Sequence, residues 1–269
     1  MTKIEWCRNP DGTAGEVWNI VDGCTPVSAG CDNCYACTMA GRFWKKRKFS
    51  DVQFHPERSE IPLHWKKPRM IFVDSMGDLF HDKVDFYIIN RIMRIMKQYV
   101  NHTFIILTKR PKRMLEYFTD PLGWRHFSAQ QFSDVNNIWL GVSVENQQTA
   151  DERIPVLLLV PAAKRFVSYE PALGAVDLEK YINLEETPCD KSKDGMHCEH
   201  WYEGERCHDC GSGGIDWVIA GGETGRNARP CHPDWIRSVR DQCEEAGVPF
   251  FLKNMQIDGK EWKQFPEDK

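Results

Sequence analysis

Three cysteines, Cys24, Cys31 and Cys34, lie in the stretch Gly23-Cys-Thr-Pro-Val-Ser-Ala-Gly-Cys-Asp-Asn-Cys-Tyr35, directly after the strand-like run Val17-Trp-Asn-Ile-Val21. Two thiols spaced Cys-x2-Cys, with a third seven residues upstream on a Gly/Pro/Ser loop, can converge on one metal centre. Three ligands rather than four is the informative count. A [4Fe-4S] cluster held by three thiolates keeps one iron open to a reacting small molecule, and reductive cleavage of S-adenosylmethionine is chemistry of that kind. The cofactors would then carry the reaction and the chain would aim it. A structural zinc site is the alternative, because Cys-x2-Cys is common in such sites. Cys37 extends the series and would close the shell as a fourth ligand. Against that, Tyr35-Ala-Cys-Thr-Met-Ala40 reads as the opening of a helix.

A second group of cysteines lies late in the chain. Cys207-His-Asp-Cys210 is a knuckle, and Cys189 and Cys198 complete a four-cysteine set, with His197, His200 or His208 as substitutes for one of them. Four ligands close a tetrahedral shell and lend stability to a segment poor in apolar residues, so structural zinc is the expected occupant, with a second iron–sulfur cluster as the alternative. Residues 179–214, acidic and rich in cysteine and histidine, read as an insertion carrying this site. The chain has 11 cysteines in all, a usage that suits metal ligation in a reducing compartment better than disulfides. Of the remainder, Cys243 falls in an amphipathic helix pattern and is expected in the core.

The elements that must position these groups recur at a regular cadence. Apolar runs at 17–21, 70–74, 104–107, 138–144, 164–168, 217–220 and 248–252 are rich in β-branched and aromatic residues and do not alternate. That pattern suits strands buried on both faces, as in parallel sheets. Between them, Asp85 is placed to cap a helix running to about Val100, with Ile89, Ile92, Met93, Met96 and Val100 on one face. His232-Pro233-Asp234 opens another, carrying Trp235, Ile236, Val239 and Cys243 inward and stopping at Gly247. Strand, helix, strand over 269 residues predicts one α/β domain across 1–269, a (β/α) barrel, full or partial, of six to eight parallel strands. An open doubly wound sheet is the alternative.

In a parallel barrel the chemistry sits at the C-terminal ends of the strands. Those ends here carry Ser75 and Asp78, then Thr108-Lys109-Arg110, Ser143-Val-Glu145, Ser168-Tyr-Glu170, Gly221-Gly-Glu223 and Lys253-Asn254. Nearly every stave finishes in a polar or charged group beside a small residue, which a barrel built for stability alone would not need.

This arrangement resembles the radical SAM enzymes, and within them the branch containing spore photoproduct lyase, where a cysteine loop is likewise followed by a small-polar-Asp loop and a Thr-Lys strand end. More closely, nearly the whole chain is similar to a phage-associated family of unknown function with a three-cysteine, radical-SAM-like motif. The stretches that carry the likeness are the cysteine loop, Ser75-Met-Gly-Asp-Leu-Phe-His81, Leu107-Thr-Lys-Arg-Pro111, Gly141-Val-Ser-Val-Glu-Asn146, Ser168-Tyr-Glu-Pro171 and Gly221-Gly-Glu-Thr-Gly225. The resemblance implies a [4Fe-4S] cluster on Cys24, Cys31 and Cys34, S-adenosylmethionine oriented by Ser75, Asp78 and Lys109, and an external electron donor. Glu145, Glu170, Glu223 and Lys253 would line the rest of the mouth and meet substrate. Two departures stand out: the first cysteine gap is six residues rather than the usual three, and Gly-Gly-Glu comes late in the chain rather than at the second strand.

The net charge is −4, so attraction to nucleic acid must come from a local patch. Arg42-Phe-Trp44-Lys45-Lys46-Arg47-Lys48 and Lys109-Arg110-Pro-Lys112-Arg113 supply cations with aromatic neighbours, a composition that suits phosphates and unstacked bases. Likeness to spore photoproduct lyase points the same way, to a nucleotide or nucleic-acid substrate. The other two readings are a non-catalytic zinc-containing nucleic-acid-binding module and an inactive radical-SAM fold serving a separately encoded partner protein. No apolar run approaches the roughly 18 residues of a membrane span, and Met1-Thr-Lys-Ile-Glu-Trp6 lacks a signal-peptide core. A cytoplasmic location, in a bacterial or phage-infected cell, is the expectation.

Overall fold

A computed structural model describes residues 4–119, 136–182, 214–225 and 227–266. The strands are β1 (Glu16–Trp18), β2 (Val21–Asp22), β3 (Gln53–Phe54), β4 (Met70–Val73), β5 (Thr103–Thr108), β6 (Ile138–Val144), β7 (Lys164–Tyr169), β8 (Trp217–Ala220) and β9 (Phe250–Leu252). All but β2 and β3 form one parallel seven-stranded sheet in the order β1-β4-β5-β6-β7-β8-β9. Among the described residues the order never reverses, so these strands make no switch point of the doubly wound kind. The outer strands β1 and β9 do not pair with each other, so the barrel is partial. β2 and β3 form a separate antiparallel ribbon.

The sheet curls. The Trp6 ring lies 4.8 Å from Phe72 on β4 and 6.2 Å from Trp217 on β8, centroid to centroid. Those strands are four spacings apart, about 19 Å on a flat sheet, which one indole cannot span. The concave face is therefore filled, by Trp6, Met70, Phe72, Ile105, Trp139, Phe166, Trp217, Ile219 and Phe251. Alternate residues of the same strands, such as Ile71, Val73, Phe104, Ile106, Leu140 and Val142, face outward into a second cluster shared with the helices. Burial on both faces is why the strand runs read as continuously apolar rather than alternating.

Among the described residues the α-helices are α1 (Tyr35–Phe43), α2 (Phe86–Gln98), α3 (Pro111–Thr119), α4 (Gln147–Leu158), the short α5 (Glu179–Ile182) and α6 (Pro233–Glu245). The Asp85 side chain caps α2 by accepting from the Tyr87 N–H at 2.7 Å. Ile89, Ile92, Met93 and Met96 are buried beneath it, whereas Val100 is 70% exposed. The helix ends at Gln98 because Tyr99 leaves helical dihedrals (φ −105°, ψ 62°), and the apolar phase is lost with it. His232 caps α6 through Nδ1; Ile236, Val239 and Cys243 are buried while Trp235 is only half-buried. Gly247 follows the helix at φ +66°, a conformation that suits glycine. No helix among the described residues is long and apolar enough to cross a membrane.

Candidate active site

The cysteine loop leaves β2 and is laid across the C-terminal ends of the strands. Its entry is held by backbone: Val21 N–H donates to Asp74 Oδ1 at 2.8 Å, Gly23 N–H to Met76 O at 2.9 Å, and Cys24 N–H to Phe49 O at 2.8 Å. Gly23 sits at φ +89°, and a Cβ there would lie 2.7 Å from Asp51 O, so both conformation and space demand glycine. Cys31 closes a tight turn on Ser28 O, and α1 starts immediately after Cys34.

Side chains from four strand-end loops then fasten it. After β4, His81 Nε2 meets Thr25 Oγ1 at 2.8 Å. After β5, Arg110 donates to Thr25 O at 2.9 Å, to Thr25 Oγ1 at 3.0 Å and to Cys24 Sγ at 3.4 Å. After β6, Glu145 Oε1 accepts from Ser28 Oγ at 2.9 Å and packs against Gly30, where a Cβ would come within 2.5 Å of that oxygen. After β8, Glu223 accepts from Asn33 Nδ2 at 2.9 Å and pairs with Arg229, which also reaches Ala29 O at 2.7 Å and Asp32. Apart from the Glu223–Arg229 pair, six residues apart, each of these contacts joins segments far apart in sequence.

The carboxylates behind the loop are paired. Asp78 Oδ2 lies 3.0 Å from Arg110, and its other oxygen accepts from Thr108 Oγ1 and from Phe80 N–H. Glu145, 1% exposed, binds both Lys109 and Arg153. Burial pushes the Glu145 carboxyl up, but those two cations outweigh it and hold it below the usual carboxylate range. The hydrogen bond from Arg229 holds Glu223 lower still, at about 2.

Asp78 and Lys109, anticipated as cofactor-orienting groups, are committed to Arg110 and Glu145. Glu145 and Glu223, anticipated at the substrate, brace the cysteine loop. Ser75 is half-buried, with Oγ donating to Asn19 Oδ1 while its carbonyl accepts from Tyr35 Oη. Glu170 and Lys253 form an ion pair between the ends of β7 and β9, each 20% exposed. Of the cations expected at nucleic acid, Arg110 is 8% exposed and lies under the loop. Arg47 pairs with the buried Asp22 and stacks on Trp44, its guanidinium 3.7 Å from the ring centroid. Arg113 lies over Phe86 and donates to Val84 O. Arg42, Lys45, Lys46 and Lys112 remain exposed. Ser28, Asn33, Arg153 and Arg229 carried no spacing signal; each is a polar residue whose partner is set by the fold. Cys189, Cys198, Cys207 and Cys210, with the zinc site expected on them, lie outside the described residues.

The three early thiols share one electrostatic field. Burial pushes Cys24 up to about 11 and Cys34 upward as well, and Cys31 adds to both. Among the described residues, no three Cys, His, Asp or Glu side chains are gathered tightly enough for a single metal ion, which at about 2.3 Å per sulfur draws thiolates to within about 4 Å of one another. A cluster interposes iron and sulfide between its ligands, so its cysteines stand further apart. Three thiols on one clamped loop, with a guanidinium donating to one sulfur, fit that larger centre in donor chemistry.

Over residues 1–266 the sequence matches the family described as "Protein of unknown function (DUF5131)". No curated protein matches it. Two solved structures are similar: a mutant of spore photoproduct lyase, at 10% identity and a TM-score of 0.47 over 94% of this chain and 79% of that one; and spore photoproduct lyase complexed with a dinucleoside spore photoproduct, at 9% identity and 0.39 over 87% and 74%.

Proposed function

The chain belongs to the DUF5131 family of proteins of unknown function, and we propose that it is a radical SAM-type iron–sulfur enzyme acting on a nucleotide or nucleic acid. The observation that carries this reading is the clamped cysteine loop. Three thiols are held over the strand ends by four separate loops, with Arg110 donating to Cys24 Sγ. A structural site that only braced its own loop would not need such convergence.

In this reading Cys24, Cys31 and Cys34 hold a [4Fe-4S] cluster, which when bound supplies the electron for reductive cleavage of S-adenosylmethionine. The residues around it have separable duties. Arg110 offers positive charge to the Cys24 sulfur and is itself oriented by Asp78 and Thr25, the outer partners that ligand geometry depends on. Lys109 and Arg153 neutralise Glu145, so that its carboxylate can press on the Gly30 backbone and fix the loop between Cys24 and Cys31. Arg229 and Glu223 do the same on the Cys31–Cys34 side. Ser75 hydroxyl and the Glu170–Lys253 pair are the polar groups left at the rim. In this reading they meet charged groups of cofactor and substrate, and Lys253 Nζ donates a hydrogen bond to Glu170 Oε1. An electron donor must reach the centre from outside.

The test is protein purified without oxygen, with iron and sulfide counts and the reduced EPR spectrum with and without S-adenosylmethionine. About four irons on these cysteines and a signal altered by S-adenosylmethionine are expected. A colourless protein that resists reconstitution with iron and sulfide would overturn the reading.

A further inference from the structure

The outward face of α2 borders a cavity of about 1040 Å³ that belongs to no part of the strand-end mouth. Tyr87, Asn90, Arg91, Arg94 and Gln98 recur on it at helical spacing, opposite the core face of the same helix. Ser59 and Leu63 line another side, and Arg113 of α3 and Lys83 add positive charge.

Two of these side chains are buried beyond nine-tenths and have an atom without a hydrogen-bond partner. Asn90 is 9% exposed with Oδ1 unpaired, and Ser59 is 8% exposed with Oγ unpaired. Buried polar atoms are normally satisfied, so these two call for a ligand that brings donors. The surroundings state its chemistry. Arg91 and Arg94 suit phosphate, while Arg113, which donates to Val84 O, and Lys83, whose Nζ donates to Ser50 O, add only to the positive field; a carbonyl oxygen suits the N–H of a base, and Tyr87, 72% exposed, offers an open ring face for stacking. Of the acidic residues present, Asp85 is spent capping α2. Glu60 and Asp82 would repel phosphate and keep the backbone on the arginine side.

We propose that this groove holds a single-stranded nucleic-acid segment beside the nucleotide being modified. From Tyr87 to Gln98 the helix runs about 16 Å at about 1.5 Å per residue, room for several nucleotides rather than one. The groove and the cysteine loop are linked through one buried histidine: Lys83 N–H donates to His81 Nδ1 at 3.1 Å, and the other nitrogen of that ring meets Thr25 of the cysteine loop. The inference rests on the nucleic-acid reading of the substrate but not on the radical chemistry.

Binding of a fluorescein-labelled single-stranded DNA dodecamer to the full chain, followed by anisotropy across a salt series, tests it apart from the iron centre. Arg91 and Arg94 are exposed, so the double variant R91A/R94A keeps its core. It is expected to bind at least about tenfold more weakly, with a salt slope smaller by about two. Tyr87→Ala is expected to weaken binding about five- to tenfold with the salt slope unchanged. The proposal is overturned if both variants bind like the parent chain, if only K45A/K46A weakens binding, if a mononucleotide competes as well as the dodecamer, or if the parent chain does not bind. Failure here with the S-adenosylmethionine-dependent EPR change intact would leave the radical reading standing and remove the groove.

Discussion

The guanidinium of Arg110 stands between a carboxylate and a sulfur: 3.0 Å from Asp78 Oδ2 and 3.4 Å from Cys24 Sγ. Arg110 and Cys24 are 86 residues apart in sequence, and both are held from other sides, the arginine by Thr25 and the cysteine by its backbone bond to Phe49. A cation in this position favours the thiolate and, with a cluster in place, draws electron density from it.

Arg110→Gln should therefore lower metal affinity by about 10–100-fold, the usual range for a lost outer partner, and shift the reduction potential of the reconstituted centre negative. Iron retention against a chelator and an EPR redox titration read the two effects. Arg110→Ala should also cost about 3–5 kcal/mol of stability in urea unfolding, because Asp78 is left buried without its counter-charge.

Replacing Cys24, Cys31 or Cys34 singly by alanine should abolish iron retention, while Cys37→Ala, an exposed position on α1, should keep it. Iron and sulfide counts after anaerobic reconstitution decide this. Loss of the centre in Cys37→Ala would make the site four-coordinate.

Gly30→Ala places a methyl group about where Glu145 Oε1 lies, since a Cβ built on that backbone is 2.5 Å from it. The carboxylate is trapped by Lys109 and Arg153 and has nowhere to retreat. A cost of about 1–3 kcal/mol, typical of overpacking, is expected in denaturant unfolding, together with weaker iron retention as the loop lifts.

Asp74 sets a pH dependence. It is 3% exposed, its Oδ2 has no partner, and burial pushes its carboxyl well above the usual range despite the bond from Val21. The folded state thus holds this proton more tightly than the unfolded chain, whose Asp titrates near about 3.9. The stability it contributes is complete below that unfolded value and is lost as pH rises through the folded value. Asp74→Asn should flatten the decline of Tm as pH rises above the unfolded value of about 3.9. Asparagine also tolerates the φ of +55° found there. An unchanged slope in thermal melts would contradict it.

The sheet and the helix starts are local matters, and the sequence carried them. The runs at 138–144 and 217–220 are strands β6 and β8 residue for residue, and Asp85 and His232 cap where turn chemistry placed them. Where a local signal was diluted the reading slipped: the run at 17–21 is broken into β1 and β2, and Val100 lies past the end of its helix.

Adjacency in the chain placed the three thiols on one loop after the first strand, and strand-end position marked Asp78, Lys109, Glu145, Glu170, Glu223 and Lys253 as neighbours of a mouth. What each charge does there was decided by the fold alone. Whether a carboxylate faces substrate or is consumed by an ion pair depends on which cation the curled sheet brings to it. Glu145 meets Ser28 across 117 residues, and Asn33 meets Glu223 across 190. Electrostatic energy falls with distance in space and is indifferent to distance along the chain. Periodicity could therefore name the participants, and only tertiary structure could pair them.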